Sequence, residues 1–63
     1  MKLKLADLIK TKRKSLNMSQ KKLAEGICTQ TIISRLEKGE VTPSIDIFFK
    51  IIKKLNIPIS EIE

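Results

Sequence analysis

Ser19-Gln20-Lys21-Lys22-Leu23-Ala24-Glu25-Gly26-Ile27-Cys28-Thr29-Gln30-Thr31-Ile32-Ile33-Ser34-Arg35-Leu36-Glu37-Lys38-Gly39 is the stretch whose reading decides the fold. It reads as two short helices joined by a tight turn. Ser19 has the chemistry of an N-cap, and Leu23, Ala24 and Ile27 supply an apolar face behind it. Gly26 ends this helix early. Thr29 is the next N-cap, for a helix running to about Lys38, and Gly39 stands where a helix takes its left-handed C′ residue.

On the second of these helices, Ile33 and Leu36 point one way, toward Leu23, Ile27, Phe48 and Leu55. Gln30, Thr31, Ser34, Arg35 and Lys38 fall on the opposite face. Gln suits a bidentate contact with adenine and Arg one with guanine, while Thr offers a methyl to thymine and a hydroxyl to either kind of edge. Such a face fits a helix seated in a DNA major groove. It also fits an ordinary solvated helix surface, and residue types alone leave both readings open.

Outward from this stretch the chain is helical on both sides. Leu5, Leu8, Ile9 and Leu16 recur at helical spacing with Lys10, Lys12, Arg13 and Lys14 between them, which predicts a first helix from about Leu3 to Ser15. Asn17 can take a left-handed conformation and end it. Downstream, Glu40-Val41-Thr42-Pro43 is a loop, and Ser44 caps a fourth helix with Asp46 in its first turn. That helix is strongly apolar, with Ile45, Phe48, Ile51, Ile52 and Leu55 expected on its inward face and Ile47 off it; Phe49 is a further apolar residue there. Asn56 stops it and Pro58 bars its continuation. Ser60 and Glu63 have capping-box spacing, which announces a fifth helix. The fold class expected is all-α, a compact bundle of four helices and a nascent fifth, with no strand signal.

Composition narrows the chemistry. A chain of 63 residues is one domain at most and close to the lower limit for folding without disulfides or metal. It holds no His and one cysteine, Cys28. An internal disulfide, a His/Cys metal cluster and Ser–His or Cys–His catalytic pairs are therefore excluded. No cofactor and no enzymatic activity are expected. Nothing reads as a signal peptide or a membrane span, so the expectation is a cytoplasmic chain with no membrane partner. The net charge is +6 and uneven: residues 1–22 carry eight Lys/Arg against one acid, residues 23–63 five against six. A basic first third suits a polyanionic partner, and equally a set of solvated lysines.

The flanking pattern separates these alternatives. Ile9 and Arg13, then Met18-Ser19-Gln20 with Leu23-Ala24, Ile33-Ser34-Arg35-Leu36-Glu37 with Gly39, Pro43-Ser44, Ile51, Leu55 and Pro58 stand in one order. In that order they resemble the lambda-repressor-like, Cro or xenobiotic-response-element-type, helix-turn-helix family, over nearly the whole chain. The resemblance implies sequence-specific binding of double-stranded DNA by a transcriptional regulator, as a homodimer. It implies Gln30, Thr31, Ser34 and Arg35 as base-contacting residues. Ser19, Gln20, Lys21, Thr29 and Lys38 become phosphate contacts, Gln20 also bracing the recognition helix. Arg13 and Glu37 match a structural salt bridge between the first and third helices. Lys10, Lys14 and Lys22 lie near elements expected to flank the groove, while Lys50, Lys53 and Lys54 are expected to face solvent.

The turn departs from the wider family, which usually has a glycine in a turn one residue longer. The run Leu-Ala-Glu-Gly-Ile-Cys looks like the N-terminal DNA-binding domain of Rgg/PlcR-type regulators, which carry a C-terminal helical-repeat domain for signalling peptides. It implies that residues 1–63 are the DNA-binding fragment of a longer, peptide-sensing regulator. Cys28 is expected to be packing filler behind Thr29, with a lowered thiol pKa only if Lys21 and Lys22 lie close. Ile47, Leu3, Ile59 and Ile62 either fold over the core edges or meet a partner. Two other functions share much of this pattern: the antitoxin of a toxin–antitoxin pair, binding operator DNA and a toxin protein, and a helical module that binds only protein.

Overall fold

The computed structural model describes residues 2–58 and 60, with side chains from Leu5 onward. Four helices follow one another: α1 Lys2–Ser15, α2 Gln20–Ala24, α3 Gln30–Glu37 and α4 Ile45–Leu55. No strand occurs among the described residues. The expected capping box of Ser60 and Glu63 depends on Glu63, which lies outside the described residues, as do Ile59, Ile62 and the side chain of Leu3.

The helix starts follow local chemistry. The hydroxyl oxygens of Ser19, Thr29 and Ser44 accept from the amides of Lys22, Ile32 and Ile47, at 3.0, 3.3 and 3.3 Å. Each satisfies a donor that the first turn would otherwise leave orphaned. Three helix ends share one device. Asn17, Gly39 and Asn56 take φ of 55°, 74° and 57°. The next amide then reaches back five residues: Met18 to the Arg13 carbonyl, Glu40 to that of Arg35 and Ile57 to that of Ile52, at 3.0, 3.0 and 3.1 Å. This is the Schellman closure, and its apolar follower packs inward: Ile57 is buried and Met18 lies against the core.

One core holds the helices together. Ile9, Leu23, Ile33, Ile51 and Leu55 are fully enclosed, joined by Ala6, Ala24, Leu36, Ile52 and Ile57. Each such aliphatic side chain contributes roughly 1.5–3 kcal/mol through burial. Ile27 and Phe48 pack against this core from its edge.

Three expectations about the apolar pattern need correcting. Leu16 is 49% exposed, because it follows the last residue of α1 and the chain turns away at Asn17. Ile45 is 70% exposed, whereas Ile47 packs on the core. The helical period explains the exchange: at about 100° per residue, Ile47 lies about 40° from Ile51 and Ile45 about 120° away. Phe49 shares the outer side with Ile45 and is 53% exposed.

The turn between α2 and α3 depends on Gly26, which has φ of 77°. It lets the amides of both Ile27 and Cys28 return to the Ala24 carbonyl, each at 2.9 Å. A Cβ at Gly26 would meet no atom within 4 Å, so the glycine is there for its backbone and not for space. Gly26→Ala should therefore destabilise the domain by about 1–2 kcal/mol, the usual penalty of a left-handed L-residue, and Gly26→Asn by less. Urea denaturation of the two variants beside the parent measures both.

Candidate nucleic-acid interface

The polar face of α3 is held in place by charges behind it. Arg13, near the end of α1, meets Glu37, the last residue of α3, through two parallel hydrogen bonds. Nε donates to Oε2 at 2.6 Å and Nη2 to Oε1 at 3.0 Å. The remaining guanidinium nitrogen, Nη1, donates to the Met18 carbonyl at 2.8 Å. Both residues are buried. Gln20, first in α2, completes the arrangement by donating from Nε2 to Glu37 Oε1 at 3.1 Å. No buried side-chain nitrogen or oxygen among the described residues lacks a partner. Three helices are thus tied at one carboxylate.

In front of this network lies a polar concavity lined by Gln20, Gln30, Thr31, Ser34, Arg35, Lys38 and Glu40. The four α3 positions, with the C-cap Lys38, span an arc of about 140° at the α-helical period. Gln30, Thr31, Arg35 and Lys38 are exposed, and Ser34 and Gln20 are half-buried. The sequence-derived base-contacting set is therefore brought together on one accessible surface, with Gln20 and Lys38 on its border. Ser19, Lys21 and Thr29 are exposed outside this concavity, at the α2 and α3 starts. The oxygens of Ser19 and Thr29 accept cap hydrogen bonds, which leaves each hydroxyl proton free to donate to an anion.

Sequence reasoning missed Glu40. Read as a loop residue, it is carried to the concavity by the Schellman closure of α3. A carboxylate there repels phosphates and can accept from a cytosine amino group. Its position two residues beyond the expected helix end was the available signal.

Lys54 corrects another expectation. It does not project into solvent. Its ammonium donates to the carbonyls of Lys22 and Glu25, at 2.6 and 2.8 Å. α4 thereby caps the carboxyl end of α2, where carbonyls have no partners within the helix and a cation is favoured. Lys22 also approaches the Glu25 carboxylate at 3.5 Å, an exposed pair of little energetic weight. Lys10, Lys14, Lys50 and Lys53 are exposed.

Cys28 is half-buried and packs against the core. Burial pushes its thiol pKa up, so the direction is opposite to the one that activation by Lys21 and Lys22 would produce.

Comparison with known proteins agrees with this geometry. A helix-turn-helix family model matches residues 9–62. The chain belongs to the helix-turn-helix family. A comparison with curated proteins finds no significant match. Among solved structures, the crystal structure of Bacillus thuringiensis PlcR in complex with the peptide PapR7 and DNA is similar, with a TM-score of 0.87 and 46% identity. The match covers 92% of this chain and 21% of that one, so the chain spans about a fifth of the length of PlcR. No helix among the described residues is long and apolar enough to cross a membrane.

Three outcomes follow from the site's geometry. Glu37→Ala leaves Arg13 buried without its carboxylate and should cost about 3–5 kcal/mol of folding stability, read from denaturant midpoints. Lys54→Met keeps the aliphatic stem and removes the cap, for a loss of about 1 kcal/mol in the same assay. Because the Cys28 pKa is raised, less of the thiol is ionised at any pH below it. Iodoacetamide should therefore modify Cys28 in the native domain more slowly at pH 8 than in the urea-unfolded chain.

Proposed function

We propose that the chain is a sequence-specific DNA-binding domain of a transcriptional regulator, with α3 reading the major groove of duplex DNA. The observation that carries this reading is the single exposed surface made by Gln30, Thr31, Ser34 and Arg35, backed by the clamp of Arg13, Glu37 and Gln20. Its similarity to PlcR, a protein solved with DNA, supports the same reading over an antitoxin or a protein-only module. In this role Gln30 and Arg35 make bidentate contacts to base edges, with Thr31 and Ser34 beside them. Ser19, Gln20, Lys21, Thr29 and Lys38 hold phosphates and fix the register. Two copies occupy half-sites about 34–36 Å apart on one face of the duplex.

Residues 1–63 act as one DNA-binding domain within a longer cytoplasmic regulator that responds to a peptide. The support is that the chain spans about a fifth of PlcR, which was solved with PapR7 as well as DNA. The role is binding and not catalysis.

Selection from random duplex DNA tests the reading, since a specific reader enriches one motif. Failure to enrich any motif, with binding insensitive to Arg35→Ala, would falsify it. On the selected site, Arg35→Ala and Gln30→Ala should each cost about 1–3 kcal/mol and relax preference at one base position. Lys21→Ala and Lys38→Ala should instead weaken all sequences alike and lower the slope of log K against log salt by about 1 each.

A further inference from the structure

Among the described residues, Glu40 is the one acid that lines the reading concavity, beside Gln30, Ser34, Arg35 and Lys38, and it is exposed there. The backbone fixes its place. Gly39 takes φ of 74°, and the Glu40 amide closes on the Arg35 carbonyl at 3.0 Å. The next residue, Val41, lines a separate, small apolar cavity with Leu5, Ile9 and Leu36. Successive residues of the closure therefore face different ways, Val41 toward the packed helices and Glu40 toward the readers. The Glu40 carboxylate carries nothing of the fold. Among the described residues no cation pairs with it and no donor bonds to it, although Arg35 and Lys38 line the same concavity.

We infer that Glu40 is a specificity-determining residue, whose carboxylate accepts a hydrogen bond from the exocyclic amino group of a cytosine in the major groove. An ionised carboxylate can only accept. Phosphates offer it no proton, and among the base edges of the major groove only the amino groups of cytosine and adenine do. Adenine sets its N7 acceptor beside its amino group, while guanine and thymine present acceptors and no donor. Cytosine alone shows a donor with no acceptor next to it. It is thus the one edge that a carboxylate meets without repulsion.

Much of the discrimination comes from the penalty on the other bases. A carboxylate that loses its water against thymine O4 or guanine O6 is left unpaired, facing a like partial charge. Arg35 supplies the complementary half of the surface, because its guanidinium can only donate and suits the two acceptors of guanine. The inference rests on the proposed reading of DNA by α3 and adds the base that the residue beyond that helix selects. Set against the sugar-phosphate backbone instead, the same carboxylate would weaken binding to every sequence alike. The two placements differ in what a change of base does.

The parent chain, Glu40→Ala and Glu40→Gln are each taken through selection from random duplex DNA, after a check of helical content and urea midpoint. With no partner for this side chain in the fold, all three should unfold at the same midpoint. A motif enriched by the parent reports on the reading by α3, and the difference between parent and variants reports on Glu40. The parental motif should hold a cytosine that Glu40→Ala no longer requires, a preference of about tenfold in affinity per half-site. Glu40→Gln should move the same position toward adenine, whose amino group and N7 match a carboxamide. A second measurement takes the donor from the DNA. Replacing that cytosine by a pyrimidinone that lacks the amino group should weaken the parent about tenfold more than it weakens Glu40→Ala. An equal loss in the two proteins overturns the assignment. So does a Glu40→Ala chain that keeps the parental motif while binding all duplexes more tightly and with a steeper salt dependence, the mark of a carboxylate set against phosphates. If the parent enriches no motif, the reading by α3 fails and the assignment falls with it.

Discussion

The carboxylate of Glu37 is the point on which the rest of the domain depends. Arg13 reaches it from α1 with two nitrogens and spends a third on the Met18 carbonyl, just past the end of its own helix. Gln20 reaches the same carboxylate from α2. Removing these charges from water is costly, and only a geometry that fills their hydrogen-bonding capacity compensates for it. The return is orientation more than net stability. The two helices of the reading motif are locked to each other and to α1, so the outward face of α3 has one fixed direction. A surface meant to match base edges needs that fixity, because a hydrogen bond to a base tolerates little misplacement.

The helices themselves could not supply it. α2 has five residues and α3 eight, well below the length at which a helix stands alone in water. Their existence rests on caps at both ends and on burial of Leu23, Ala24, Ile33 and Leu36. Lys54 adds a tie from α4 to the carboxyl end of α2. The motif is therefore a product of the whole domain. In exchange, the polar side of α3 carries no burden in folding, and its residues are free to vary with the sequence to be read.

Much of this was legible along the chain, for a physical reason that differs from place to place. Ser19, Thr29 and Ser44 act on amides three residues away, and Asn17, Gly39 and Asn56 act on their own backbone, so boundaries could be read locally. The core positions of α3 followed from its period. The inward face of α4 was read one step off, with Ile45 for Ile47, because an almost continuous apolar run carries little periodic signal. Composition cannot say which side of such a helix meets the core. The departures at Lys54 and Glu40 share a cause. The carbonyls that Lys54 caps lie about thirty residues away in sequence, and Glu40 joins the reading surface only through the closure at the end of α3.

The sequence by itself determined four helices, their caps, the shortened turn at Gly26 and a polar helix face suited to DNA, because each depends on neighbours within a few residues or on a fixed period. Tertiary structure alone decided how those parts meet. It set Gln20 and Arg13 on one carboxylate and gathered the polar residues of α3 with Glu40 into one concavity. It also turned Lys54 inward and left Ile45 and Phe49 outside. These are contacts between distant segments, governed by how three-dimensional packing fills space and satisfies buried charge, and no local rule specifies them.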